Sequence, residues 1–174
     1  MNKVRFILLC AVVLLASCAP VFREDIMKDA SLNPFLSELN ANAASYEGKL
    51  FVFAGMLDTT RVTKEGSLIE AVFIPVDRWG RPGDYMESVR FLALYPLEKG
   101  ILDPLIFRKN RLITIAAIYK GVRIDRLGEI EYPFSYFEIS DFRLWEDPYP
   151  AYNPSPYWWY DPWYDPWFPH RRWR

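Results

Sequence analysis

Few side chains in this 174-residue sequence are placed to act on a chemical bond. Histidine, the side chain best suited to proton transfer near neutral pH, occurs once, as His170 within the last five residues. Arg171 and Arg172 follow it, and a solvated tail side chain is expected there. A metal centre or an acid–base dyad needs ligands that converge on a rigid frame, and a serine triad needs a placed histidine. No P-loop, G-x-G-x-x-G or H-E-x-x-H pattern occurs. Glu129 and Glu131 flank Ile130, so they share one face of a strand and read as a solvated pair. Glu70 stands out more, because it interrupts an apolar run, with Arg81 and Arg90 as potential partners. The expectation is an ion pair or hydrogen-bonded carboxylate at the rim of a barrel. The sharper alternative is a polar contact in a ligand groove. No catalytic residue, metal ligand or cofactor is assigned.

The remaining reactive groups are two thiols, Cys10 and Cys18. Cys10 lies in a leader that has Lys3 and Arg5 ahead of the ten-residue apolar run Phe6 to Leu15. This is the layout of a secretory signal, and the run is about half the ~20 residues a membrane-spanning helix needs. Leu15-Ala16-Ser17-Cys18 closes it and looks like the lipobox of a bacterial lipoprotein. The chemistry expected of Cys18 is alkylation of its sulfur by diacylglycerol, after which it is the first residue of the mature chain. One acyl chain gives only marginal membrane binding and stable anchoring takes two signals; lipoproteins of this type carry three chains. Ala19, where Asp would favour inner-membrane retention, points to the outer membrane.

Removing residues 1–17 leaves 157 residues with a net charge of −3. That length suits one domain with extensions. Near-neutral charge gives no footprint for nucleic acid, which is not expected as a partner. With Cys10 removed and Cys18 lipidated, no disulfide is available, so stability must come from a packed core.

The elements that would hold these groups are short. Residues 18–30 read as a lipidated tether reaching at most ~40 Å. Asn33-Pro34 predicts a helix start, with Asn as N-cap and Pro in the first turn. Phe35, Leu36, Leu39 and Ala43 form its apolar stripe, and Gly48 ends it. Strands are expected over Lys49–Leu57, Ser67–Val76, Ser88–Tyr95, Arg111–Tyr119 and Tyr136–Trp145. Gly55 marks a bulge or sharp coil in the first. Arg78–Asp84 is a turn, Leu102–Phe107 a helical turn capped by Asp103, Gly121 a strand end, and Val122–Tyr132 a hairpin around Gly128. In the last strand Phe137 and Ile139 occupy one face while Phe142 and Leu144 occupy the other. A switch of phase predicts a bulge or a corner. The pattern indicates a mainly β fold: a small Greek-key barrel of the OB type with one or two short helices, a flat sandwich being the alternative.

The order of motifs from Tyr46 to Trp145 resembles the Slp family of outer-membrane lipoproteins. The matching pieces are Tyr46-x-Gly48-Lys49, Gly55, Glu70, Pro75, Asp77-x-x-Gly80-Arg81-Pro82, Arg90-Phe91-Leu92-Ala93, Asp103-Pro104, Thr114, Gly128-Glu129, Tyr132 and Leu144-Trp145. The resemblance implies an OB-like barrel over residues 31–145, tethered to the outer membrane by lipid, with no catalytic residues to carry over. Ala116-Ala117 departs from the family, which is expected to have glycine there.

The stretch 146–174 is a second departure. It holds 11 aromatic residues and seven prolines, and repeats Tyr-Asp-Pro-Trp at Tyr160–Trp163 and Tyr164–Trp167. Such proline density excludes a regular helix or central strand. A disordered extension is one reading. Another places Trp158, Trp159, Trp163, Trp167 and Trp173 at a membrane interface, with Arg171, Arg172 and Arg174 meeting anionic headgroups. Contact with an envelope protein or a glycan is the third. The function expected is a non-enzymatic envelope lipoprotein with a structural, stress-associated or interaction role. The alternative is a glycan- or peptidoglycan-binding module.

Overall fold

The computed structural model describes residues 19–84 and 88–146. Its centre is a closed five-stranded barrel. The strands are β2 (Leu50–Val62), β3 (Gly66–Ile74), β4 (Arg90–Pro96), β5 (Leu112–Leu127) and β6 (Ile130–Leu144). β2, β3 and β4 form an antiparallel meander. β6 then adds parallel to β4, with Phe91 opposite Ser135, and antiparallel to β5. β5 closes the ring on β2, with Leu50 opposite Ile118. β2 therefore serves two neighbours: Leu50–Met56 pairs with β5 and Ala54–Val62 with β3. This is the Greek-key barrel that the strand pattern predicts, not the sandwich.

Period-2 alternation fills the interior. Phe53 contacts the rings of Phe73, Phe91 and Phe137, with centroids 4.9–5.5 Å apart. All four rings are essentially excluded from solvent, and burying each contributes about 1.5–3 kcal/mol. Gly55 leaves the space that Phe91 fills, since a Cβ there would lie 2.7 Å from the Phe91 Cζ. The bulge expected at Gly55 instead falls between Leu57 and Thr59, where Asp58 is the extra residue.

Two plugs close the barrel. At one end α2 (Leu36–Ala41) buries Leu36 and Leu39. The buried Tyr119 hydroxyl donates to the Leu39 carbonyl at 3.0 Å, and Ser135 Oγ meets Asn40 Oδ1 at 2.7 Å. α3 (Ala43–Tyr46) follows, and Gly48 takes the left-handed turn into β2 at φ 82°. At the other end residues 97–111 fold back. Phe107 packs edge-on against Phe142, as does Tyr95. Asp103 caps a single turn here, its carboxylate accepting the Leu105 N–H at 2.8 Å.

β5 and β6 form one long hairpin with Gly128-Glu129 at its tip. The phase switch lies where the sequence puts it: Ala117 faces Ile139 and Ala116 faces Asp141, so Ser140 is the extra residue. Lys99 Nζ donates to the Ile139 and Ser140 carbonyls at 3.1 and 3.3 Å. Gly121, expected as a strand end, lies inside β5 at a second bulge with φ 106°. A bulge re-aims a strand without ending it.

The amino-terminal segment also departs from expectation. Residues 21–32 are not an extended tether but lie against the outside of the barrel. Phe22 is buried, with Val21, Ile26, Met27 and Ala30 around it, on a patch of Val52, Ala54, Ile74, Val76 and Ala116. α1 (Glu24–Asp29) forms there, and β1 (Ser31–Leu32) pairs parallel with Phe51 and Val52 of β2. Asn33 is not an N-cap. At φ 53° its amide imitates a peptide group: Nδ2 donates to the Val76 carbonyl at 2.8 Å and Oδ1 accepts the Val76 N–H at 2.7 Å. Asn tolerates this left-handed backbone, and the pair fixes the segment to the end of β3. The position before α2 belongs to Phe35, which is exposed rather than part of the apolar stripe.

Candidate functional site

Glu70 and Arg90 meet. Glu70 sits on the outward face of β3, between inward Ile69 and Ala71, and is nevertheless buried. Arg90, one strand across on β4, donates through Nη1 to Glu70 Oε1 at 2.8 Å and to Asp58 Oδ2 at 2.6 Å. Lys109 Nζ donates to the other Asp58 oxygen at 2.6 Å. The β2 bulge aims Asp58 into this group. Hydrogen bonds from Lys109 and Arg90 hold its carboxyl below the usual aspartate range, against the opposing cost of burial. Asp58 in turn raises Arg90. Two acids and two bases balance, so the cluster carries no net charge. Asp58 and Lys109 are absent from the sequence-based grouping. The available signal was an aspartate directly after the apolar run of β2.

Arg81 is not part of this cluster. It stands at a separate pole, in the turn after β3. The Asp77 carboxylate accepts the Trp79 and Arg81 N–H groups at 2.8 and 2.9 Å. The Trp79 carbonyl accepts the Val21 N–H at 2.8 Å. Gly80 lets the two chains approach, since a Cβ there would lie 3.2 Å from the Val21 Cβ. Ala19, Pro20, Val21, Arg81, Arg143 and Trp145 line a cleft of about 250 Å³ here. Among the described residues, no carboxylate pairs with Arg81 or Arg143.

The outer face of β3 and β4 is covered in part, beside a cleft of about 250 Å³ lined by Thr63, Lys64, Glu65, Leu68, Leu94 and Arg123. Leu68, Leu92 and Phe134 form a buried cluster there, with Leu94, Leu127, Tyr132 and Tyr136 around it. The distal half of the β5–β6 hairpin supplies part of this cover. Arg61 pairs with Asp125 at 3.0 Å and Arg123 lies over the Tyr136 ring at 5.2 Å. Among the described residues, no group of three or more His, Cys, Asp or Glu side chains is arranged to hold a metal. Nor is any helix among them long and apolar enough to cross a membrane.

The model of the outer membrane lipoprotein Slp family matches residues 15–169. The chain belongs to this family. It is an outer-membrane lipoprotein, and the match begins at Leu15, the first residue of the expected lipobox. No curated protein matches the sequence.

Among solved structures, this Slp-family chain is similar to a putative aspartyl-tRNA synthetase from Leishmania major Friedlin, at 14% identity and a TM-score of 0.39. That match covers 78% of this chain and 25% of the other, so the chain spans about a quarter of that relative's length. A second is Schizosaccharomyces pombe Pot1pC bound to single-stranded DNA, at 10% identity and a TM-score of 0.32, covering 60% and 84%. A third is the mitochondrial single-stranded DNA binding protein Rim1 of S. cerevisiae, at 8% identity and a TM-score of 0.31, covering 58% and 98%.

In this Slp-family chain Cys18 and the tail residues Trp158, Trp159, Trp163, Trp167, Trp173 and His170 lie outside the described residues. Ala19 lines the same cleft as Trp145.

Proposed function

We propose that the protein is a non-enzymatic module of the outer membrane, lipidated at Cys18 after removal of residues 1–17. Its barrel, residues 31–145, has a structural, stress-associated or interaction role in the envelope. The observation that carries this reading is the filling of the barrel on both sides. The interior is occupied by its own aromatic rings, and the outer β3–β4 face by Leu68, Leu92, Phe134 and the neutral Asp58–Glu70–Arg90–Lys109 group. Ligand sites are concave and lined by apolar groups with a few convergent polar ones, and this face uses most such groups in its own packing, apart from the cleft at Leu68, Leu94 and Arg123. The same cover argues against the barrel face as a glycan or peptidoglycan platform. That reading then rests on the Leu68–Leu94–Arg123 cleft and the aromatic tail.

Fractionation of cells producing Cys18→Ser tests the anchor. The variant is expected to leave the membrane fraction with its barrel folded. Retention in the membrane would overturn Cys18 as the anchor. In-cell crosslinking, comparing the full chain with one ending at Trp145, tests the role of the tail. Loss of glycan adducts on truncation, with protein adducts unchanged, would favour the glycan-binding reading instead.

A further inference from the structure

We propose that the pole lined by Ala19, Arg81, Arg143 and Trp145 is a docking face for anionic phospholipid headgroups, which holds the barrel flat on the leaflet in one orientation. This rests on the reading of Cys18 as the lipidated residue. Three independent observations converge on it. First, the segment after Cys18 has no slack. The Val21 N–H is bonded to the Trp79 carbonyl, and Phe22 is buried against the barrel. The Cα of residue 18 therefore lies within about 3.8 Å of the Ala19 Cα, and Ala19 lines the cleft. An acylated sulfur on residue 18 brings the glycerol backbone and phosphate layer to this face, not tens of ångströms away.

Second, the charged side chains lining the cleft are both arginines, Arg81 and Arg143. Both are exposed, and neither is paired with a carboxylate among the described residues. Guanidinium forks match phosphate oxygens in geometry. Asp77, the nearest acid in the turn, spends its carboxylate on backbone N–H groups.

Third, aromatic and basic side chains adjoin one another near this pole. The Trp145 indole is fixed by Thr114, and Arg78 lies over the Trp79 ring at 4.8 Å. Indole and guanidinium side by side suit the headgroup layer. Lipid and arginines then address one plane.

The test uses the lipidated full chain in vesicles of phosphatidylethanolamine with phosphatidylglycerol, with detergent micelles as reference. Amide hydrogen exchange is read over residues 77–82 and 141–145. Exchange there is expected to slow by about tenfold or more on the vesicles, the scale that one or two arginines contribute at an anionic surface. The hairpin tip at Gly128-Glu129 is expected to be unchanged. In R81Q/R143Q the slowing disappears while β4 exchange and vesicle association persist. Equal protection in micelles would mean that the chain's own tail covers the cleft, and would overturn the proposal. So would protection reproduced by inorganic phosphate in micelles, or protection unaltered in the double variant. Failure of the wild type to stay on vesicles would instead remove the Cys18 anchor reading.

Discussion

The Trp145 indole N–H donates to the Thr114 hydroxyl at 2.9 Å. That hydroxyl donates onward to the Gly80 carbonyl at 3.1 Å. Thr114 is fully buried, so one hydroxyl joins the end of β6, the start of β5 and the turn that receives the amino-terminal segment. Replacing it with the isosteric valine leaves a carbonyl and an indole without their partner. Thr114→Val is expected to cost about 1–3 kcal/mol. Denaturant unfolding measures it, and an unchanged midpoint would show that water replaces the hydroxyl.

Arg90 has two carboxylate partners and Glu70 has one, which ranks their substitutions. Glu70→Ala leaves Arg90 paired with Asp58 and is expected to destabilise by about 1 kcal/mol. Arg90→Ala leaves the buried Glu70 carboxylate unpaired and is expected to cost about 2–3 kcal/mol, below the full buried-pair penalty because the group is partly solvated. Thermal unfolding of both variants checks the order, and equal effects would show that Glu70 draws little from Arg90.

Asp58 sets an acid limit on stability. Its folded pKa lies below the ordinary 3.8, chiefly through the hydrogen bond from Lys109 and then that from Arg90. A lowered carboxylate contributes stability in full above the ordinary value, and that contribution is lost as pH falls through the lowered one. Wild type is therefore expected to lose stability below about pH 4 more steeply than Asp58→Asn. Unfolding midpoints from pH 6 down to pH 2 measure this, and parallel curves would dismiss the linkage.

Gly55→Ala tests the fit of Phe91. The added carbon would lie 2.7 Å from one ring atom of Phe91 and 3.0 Å from the Ala71 Cβ. The ring has no exposed side to move toward. Overpacking of this kind costs about 1–3 kcal/mol. Gly55→Ala/Phe91→Leu is expected to recover part of the loss, and a double variant no better than the sum of the singles would contradict the assignment.

Phe22→Ala tests whether the amino-terminal segment is held by its side chain. The residue is 5% exposed, and large-to-small changes at such positions cost about 3–5 kcal/mol in a core. Because the segment is peripheral, its release is expected before the barrel opens. Limited proteolysis should then cut near Arg23 and Lys28 in the variant and spare the barrel. Cleavage throughout the barrel would show that the segment is integral to it.

The strands and the closed barrel were legible because inward positions alternate with a period of two and turns carry glycine or proline. The change of phase at Ser140 was legible for the same reason: a bulge leaves a permanent mark on alternation. Three features were hidden. Gly121 reads as a stop, yet the β5–β6 ladder resumes beyond it, because pairing on both sides overrides a local signal. Residues 19–30 read as a tether because the helical spacing of Phe22, Ile26, Met27 and Ala30 is short and set among charges, and only the patch on the barrel shows what it packs against. Asn33 before Pro34 has the composition of a cap, and only the tertiary position of Val76 turns its amide into a cross-link. At the candidate site, Glu70 and Arg90 were visible as charges inside apolar strands. Asp58 and Lys109 were not, because both join through backbone irregularities.

The double allegiance of β2 also governs when the barrel can form. Residues Leu50 to Phe53 find an antiparallel neighbour only in β5, at Ile115 to Ile118, and β4 meets its parallel neighbour only in β6. Pairings so distant along the chain place folding among the slow, topology-limited classes. A chain still being made or threaded across a membrane has the meander but an open edge on each side until β5 and β6 emerge. Open edges are templates for aggregation. The last two strands therefore do more than complete the core: their arrival is what removes both edges at once.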